Sequence, residues 1–157
     1  MSSESPGSAS AGNSSDLVQR QALFPGLVYN EAGDEARVVM IGGVAHYAIP
    51  DDGFLRHVEA YRVDESAIDA MQDLMAGMRD ELVAGILQMM GTDDILAKAA
   101  LEASIDNVGP SLRRSDPSQW APMLRLYGFR IVVDVHGRLQ QIIYPRQDPA
   151  ESGDDET

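Results

Sequence analysis

Between Asp64 and Gly91 the chain carries apolar residues at Ile68, Met71, Met75, Met78, Leu82, Ile86 and Met89. Steps of three and four residues put all seven on one side of an α-helix, so the segment predicts a single long helix. Asp64 is placed to cap its start and Gly91 to end it. A stripe of that length needs a cover, and this requirement constrains the rest of the fold. Leu87 and Met90 lie off the centre of the stripe and widen it, so cover from more than one side is expected.

The flanking sequence supplies strands. "ARVVMI" and "VAHYAI" are β-prone runs separated only by Gly42-Gly43. The central residues of a two-residue hairpin turn take positive φ, which glycine adopts without steric penalty. The same pair does not fit a phosphate loop, because a strand follows it and neither a Gly-Lys-Ser/Thr ending nor a three-glycine fingerprint is present. Pro50-Asp51-Asp52-Gly53 is a further turn signal. Phe54–Val63 then reads as a third strand, with helix the competing assignment. Near the C-terminus, "FRIVVDV" and "RLQQIIYP" flank His136-Gly137 and predict a second hairpin. Its apolar face would hold Phe129, Ile131, Val133, Ile142 and Tyr144, with Arg130, Asp134 and Gln141 opposite.

Helix signals fill most of the remainder. Asp16 is placed to cap a short helix that Pro25-Gly26 stops. Thr92 reads as the cap of a second helix, with Asp93 and Asp94 in its first turn and Gly109-Pro110 at its end. Asp116-Pro117 opens a third, bent at Pro122 and stopped by Gly128. The expected fold class is α+β. It has one antiparallel sheet of four to five strands, built from N- and C-terminal hairpins, with about three helices packed on one face. Residues 17–145 form a single domain in this reading, since 157 residues suffice for one core. Residues 1–16, rich in Ser, Gly and Ala, and the acidic residues 146–157 read as disordered tails.

Composition narrows function more than it names it. The chain has no cysteine, which excludes disulfides, thiolate metal sites and thiol catalysis. The first residues lack a basic stretch followed by an apolar run, and no apolar segment approaches the ~20 residues of a membrane helix. A cytoplasmic protein with no membrane association is therefore expected. Net charge is −13, and residues 31–106 carry sixteen acids against five bases. That bulk charge argues against general nucleic-acid binding. Residues 107–147 are the exception, with six arginines against two aspartates.

Two constellations carry the functional expectations. His46, His57, Arg113, Arg114, Arg130 and Arg138 are candidates for a ligand- or anion-binding patch, because guanidinium groups match carboxylate and phosphate geometry. Against that, three scattered histidines show no zinc-ligand spacing, and Asp51, Asp52 and His57 read as a solvated turn beside a lone histidine. The second constellation is Met71, Met75, Met78, Leu82, Met89 and Met90, which serve either as core filler or as an adaptable partner surface. Gly77 and Gly85 would permit close approach of a partner, with self-association through the long helix as the expected form. No nucleophile motif, metal site or cofactor fingerprint is found. The leading expectation is a non-enzymatic acidic interaction protein, namely an adaptor, chaperone or accessory subunit. The alternative is a small-ligand or anion-binding domain, conceivably an enzyme, with a pocket between sheet and helices.

Overall fold

The computed structural model describes residues 21–145. Among these the order is β1 (Val28–Asn30), β2 (Arg37–Ile41), β3 (Val44–Asp51), β4 (Phe54–Glu59), α1 (Ala60–Gly77), α2 (Arg79–Met90), α3 (Ile95–Asp106), α4 (Val108–Arg114), a 3₁₀ turn (Pro117–Gln119), α5 (Ala121–Leu126), β5 (Arg130–Val133) and β6 (Leu139–Ile143). The class is α+β, as expected, but the strands do not form one sheet. β2-β3-β4 make an antiparallel sheet, and β1-β5-β6 make a second in which β1 runs parallel to β5. The parallel strand comes from "VYN", three buried residues whose pairing partner lies some hundred positions downstream. The predicted helix beginning at Asp16 and both predicted tails fall wholly or largely outside the described residues.

Turn chemistry fixes the first sheet. Gly42 and Gly43 have φ of 60° and 78°, and Ile41 pairs with Val44 across them. Asp52 and Gly53 repeat the arrangement, with Asp51 opposite Phe54. The resulting register turns Ala45, Tyr47 and Ile49 of β3 into the core. The second hairpin differs from the expected two-residue loop. Val133 pairs with Leu139, and the ladder shifts register just before it. The Asp134 carboxylate accepts the N–H groups of His136 and Arg138, both at 2.9 Å, and holds a longer turn. Burial alone would raise its pKa, but these two hydrogen bonds and the nearby Arg138 and His136 charges hold it below the ordinary value.

The helices correct the sequence reading in five places. First, β4 ends at Glu59 and α1 begins at Ala60, so Asp64 is a buried residue inside the helix and not its cap. Second, the long helix breaks. Gly77 ends α1, Met78 adopts φ −115° and ψ 13°, and α2 starts at Arg79. Glycine is about 1 kcal/mol less favourable than alanine inside a helix, so the break falls at one of the two glycines of the stripe, while Gly85 stays helical inside α2. Third, Asp94 caps α3 by accepting the Leu96 N–H at 3.0 Å, while the Thr92 hydroxyl accepts the Asp94 N–H at 3.1 Å. Fourth, Gly109-Pro110 does not end a helix but lies in the first turn of α4, where the proline's missing N–H has no helical partner to lose. A Cβ at Gly109 would run into the Gln72 amide and come within 3.2 Å of the Ile68 side chain, so glycine lets α4 lie close on α1. Fifth, Pro122 likewise sits in the first turn of α5 and does not bend a longer helix.

One hydrophobic core joins the two sheets to α1. It contains Leu23, Phe24, Leu27, Tyr47, Ile49, Val63, Ile68, Phe129, Ile131 and Val133, with Met71, Leu112, Trp120 and Leu124 packed against it. Phe24 lies between Trp120 and Phe129, at ring-centroid separations of 5.7 and 6.3 Å. Among the described residues, nothing between Gln72 and Ser111 belongs to this core. α2 packs chiefly on α3, whereas α3 also packs on α1 and α4; Val83 is the buried residue of α2 and Ile105, beside Gln72 and Ala76 of α1, that of α3.

Candidate interaction surface

The six histidine and arginine candidates lie on four elements and one loop. His46 on β3 faces Glu59 on β4, and His57 faces Ala48, so both histidines occupy the same side of the first sheet. His46 is half-buried, with Nδ1 2.9 Å from the Val44 carbonyl oxygen, and His57 is exposed. Arg113 on α4 donates two hydrogen bonds to Glu65 on α1, at 2.8 and 2.7 Å. This bidentate pair holds α4 to α1 and raises the Arg113 pKa. Arg114 is exposed at the end of α4. Arg130 on β5 lies over the Tyr29 ring at 4.4 Å, and Arg138 is exposed in the turn of the second hairpin. Two of the four guanidinium groups therefore have partners within the fold. Among the described residues, no three His, Asp or Glu side chains gather as a metal site requires.

The strongest electrostatic feature among the described residues is Asp64, which the sequence places only as a helix cap. Asp64 is 1% exposed on α1. Its carboxylate accepts the Tyr47 hydroxyl at 2.6 Å and the Leu23 N–H at 2.9 Å, while the Tyr47 oxygen accepts the Phe24 N–H at 3.2 Å. Burial pushes the Asp64 carboxyl up to about 7, against the lowering effect of the two hydrogen bonds it receives, and the nearby Glu65 charge adds to the rise. Burial, then the Asp64 carboxylate, raises the Tyr47 phenol well above its ordinary range. The pair ties the segment before β1 to β3 and α1. Both groups are enclosed, so neither is presented to a substrate. The signal was present in the sequence: Asp64 shares helical phase with Ala60, Val63, Ala67 and Ile68.

The methionine constellation divides at the helix break. Met71 packs against the core, Met75 is half-buried, and Met78 is exposed at the break itself. Leu82 on α2 is half-buried. At the far end Met89 is 86% and Met90 59% exposed, and Ile95 and Leu96, at the start of α3, are each 74% exposed. The turn between them is well closed. Gly91 adopts φ 72°, its N–H reaches the Gln88 carbonyl at 3.1 Å, and the Thr92 N–H reaches Leu87 at 3.1 Å. This is a glycine-terminated helix end that satisfies the last carbonyls, followed at once by the Asp94 cap. The four apolar side chains are thus displayed by a defined turn.

A cavity of about 470 Å³ opens between α2 and α3. Val83, Ala84 and Leu87 form its apolar wall, and Asp80, Gln88, Thr92, Asp93 and Lys98 form its polar margin. Val83, Leu87 and Met90 follow spacings of four and three, so the wall continues by helical phase to the exposed Met90. Arg79 donates to Asp106 at 2.7 Å and ties the start of α2 to the end of α3. No helix among the described residues is long and apolar enough to cross a membrane. Comparison with known proteins finds no matching family model, no similar curated protein and no similar solved structure.

Proposed function

We propose that this chain is a non-enzymatic acidic interaction protein, an adaptor, chaperone or accessory subunit, that docks through its α2–α3 pair. The supporting observation is the display of Met89, Met90, Ile95 and Leu96, outside the core and around a closed turn. Large apolar side chains clustered at one exposed place mark interaction surfaces more often than singly scattered ones do. Methionine adds a flexible, polarizable contact that adapts to its partner. The anion-binding alternative draws less support, because Arg113 and Arg130 are engaged by Glu65 and Tyr29. Self-association through residues 68–90, the form expected from sequence, loses Met71 to the monomer's own core.

Site-specific photo-crosslinking in the native host tests the reading. A crosslinker at position 89 should trap a discrete adduct that is missing when it is placed at Glu31, an exposed turn residue remote in sequence. Equal, diffuse labelling from both positions would count against α2–α3 as the docking element.

A further inference from the structure

We propose that the groove between α2 and α3 seats a cationic amphipathic helix presented by a partner protein. The proposal rests on the reading of α2–α3 as the docking element and specifies the chemistry of what docks. A helix fits because the groove lies between two helices and offers an apolar wall of Val83, Ala84 and Leu87, with the exposed Met90 one helical step beyond it. Helix-in-groove recognition places anchors at i, i+3, i+4 and i+7 of the incoming segment against such a wall. The cavity of about 470 Å³ has room for an inserted apolar anchor.

The sign of the partner's charge follows from the margin. Residues 79–106 contain six acids and two bases, a net −4. One of those bases, Arg79, is already paired with Asp106. Lys98 is the remaining base at the cavity, and Asp80 and Asp93 share the margin with it. Glu81 and Asp94 are exposed beside them in sequence. Lysine or arginine flanking the incoming apolar stripe would meet this excess of carboxylates. In a two-fold pairing through this same face, a second copy of this chain would instead bring its own acidic helices to the same place. The whole chain carries −13, and like charges within a Debye length of about 10 Å repel. Charge complementarity therefore favours a cationic helix over self-pairing.

The test uses the full chain and two labelled synthetic peptides. One is a leucine–lysine helix with leucine at i, i+3, i+4 and i+7, and the other carries glutamate at every lysine position. Fluorescence anisotropy should show micromolar binding of the lysine peptide, weakening as salt rises from 50 to 500 mM, and no binding of the glutamate peptide. Asp80→Lys with Asp93→Lys should weaken the lysine peptide at least tenfold. Glu31→Lys with Asp69→Lys makes the same change in net charge outside the groove and should weaken it far less. Met90→Ser, at an exposed position, should weaken it several-fold without unfolding the chain. Equal loss with both charge pairs would reduce the effect to bulk attraction and overturn the groove proposal. Failure of the lysine peptide to bind, with concentration-dependent dimers that Met90→Ser abolishes, would overturn the cationic helix and leave the docking role of α2–α3 standing. Failure of binding with a monomer at all concentrations and no discrete crosslink at position 89 would overturn both.

Discussion

Ile68 and Met89 belong to the same helical stripe of the sequence, yet Ile68 is fully buried and Met89 is 86% exposed. The two sheets with α1 form a body in which apolar residues from distant positions meet in one core. α2 and α3 form a local pair with Val83 and Ile105 as its buried residues, and it joins the body through α1 and α4. Apolar content therefore does not determine burial. What decides is whether long-range partners arrive, and among the described residues none arrives for the outer part of α2–α3. Apolar side chains there contribute little to the fold, which leaves them free to serve an interface.

The largest expected effect separates the two regions directly. Ile68→Ala should cost about 2–5 kcal/mol in urea unfolding, the range for deleting a buried large aliphatic side chain. Met89→Ala should leave global stability within about 0.5 kcal/mol, as exposed substitutions do. Comparable losses at the two positions would mean that α2 is part of the same cooperative core.

The next effect sharpens the description of the body, and it depends on pH. The Asp64 carboxyl is raised from 3.8 to about 7 in the folded chain. A raised pKa means the folded state binds the proton more tightly than the unfolded chain does. The stability from this group is complete below about pH 4 and is lost as pH rises through about 7, by up to about 1.4 kcal/mol per unit. The difference in unfolding free energy between wild type and Asp64→Asn should therefore change across that window and flatten beyond it. A difference independent of pH from 4 to 8 would show that Asp64 titrates alike in both states.

A smaller effect tests how open α2 is. A Cβ at Gly85 would have no atom within 4 Å beyond its helical neighbours. Gly85→Ala should then stabilise the chain by no more than about 1 kcal/mol, through helix propensity and lower entropy of the unfolded chain. Destabilisation measured by thermal unfolding would place another part of the chain against that face.

Local chemistry in the sequence was legible where it acts locally. Gly42-Gly43 specified its turn, Gly91 ended its helix, and alternation placed Phe129, Ile131 and Val133 inward. Features decided by distant partners were not. β1 is three residues long and shows no pattern until β5 lies beside it. Thr92 and Asp94 can both cap a helix, and only backbone geometry selects Asp94. The break after Gly77 interrupts a stripe whose spacing is unbroken in the sequence. For the candidate surface, the helical stripe includes Met89 and Met90 but not Ile95 and Leu96. Their signal was two large aliphatics in the first turn of a helix, directly after a cap. Periodicity shows which side of an element is apolar, but not whether a neighbour arrives to cover it.

Native-state hydrogen exchange tests the contrast between the two regions most directly. Amides of α1 and β3 should exchange only through global unfolding, whereas those of α2 and α3 should open locally at a free energy several kcal/mol lower. Addition of the leucine–lysine helix should raise protection in α2 and α3 and leave α1 and β3 unchanged. Equal protection in both regions of the free chain would contradict the account, since it would make α2–α3 as integral to the fold as the core itself.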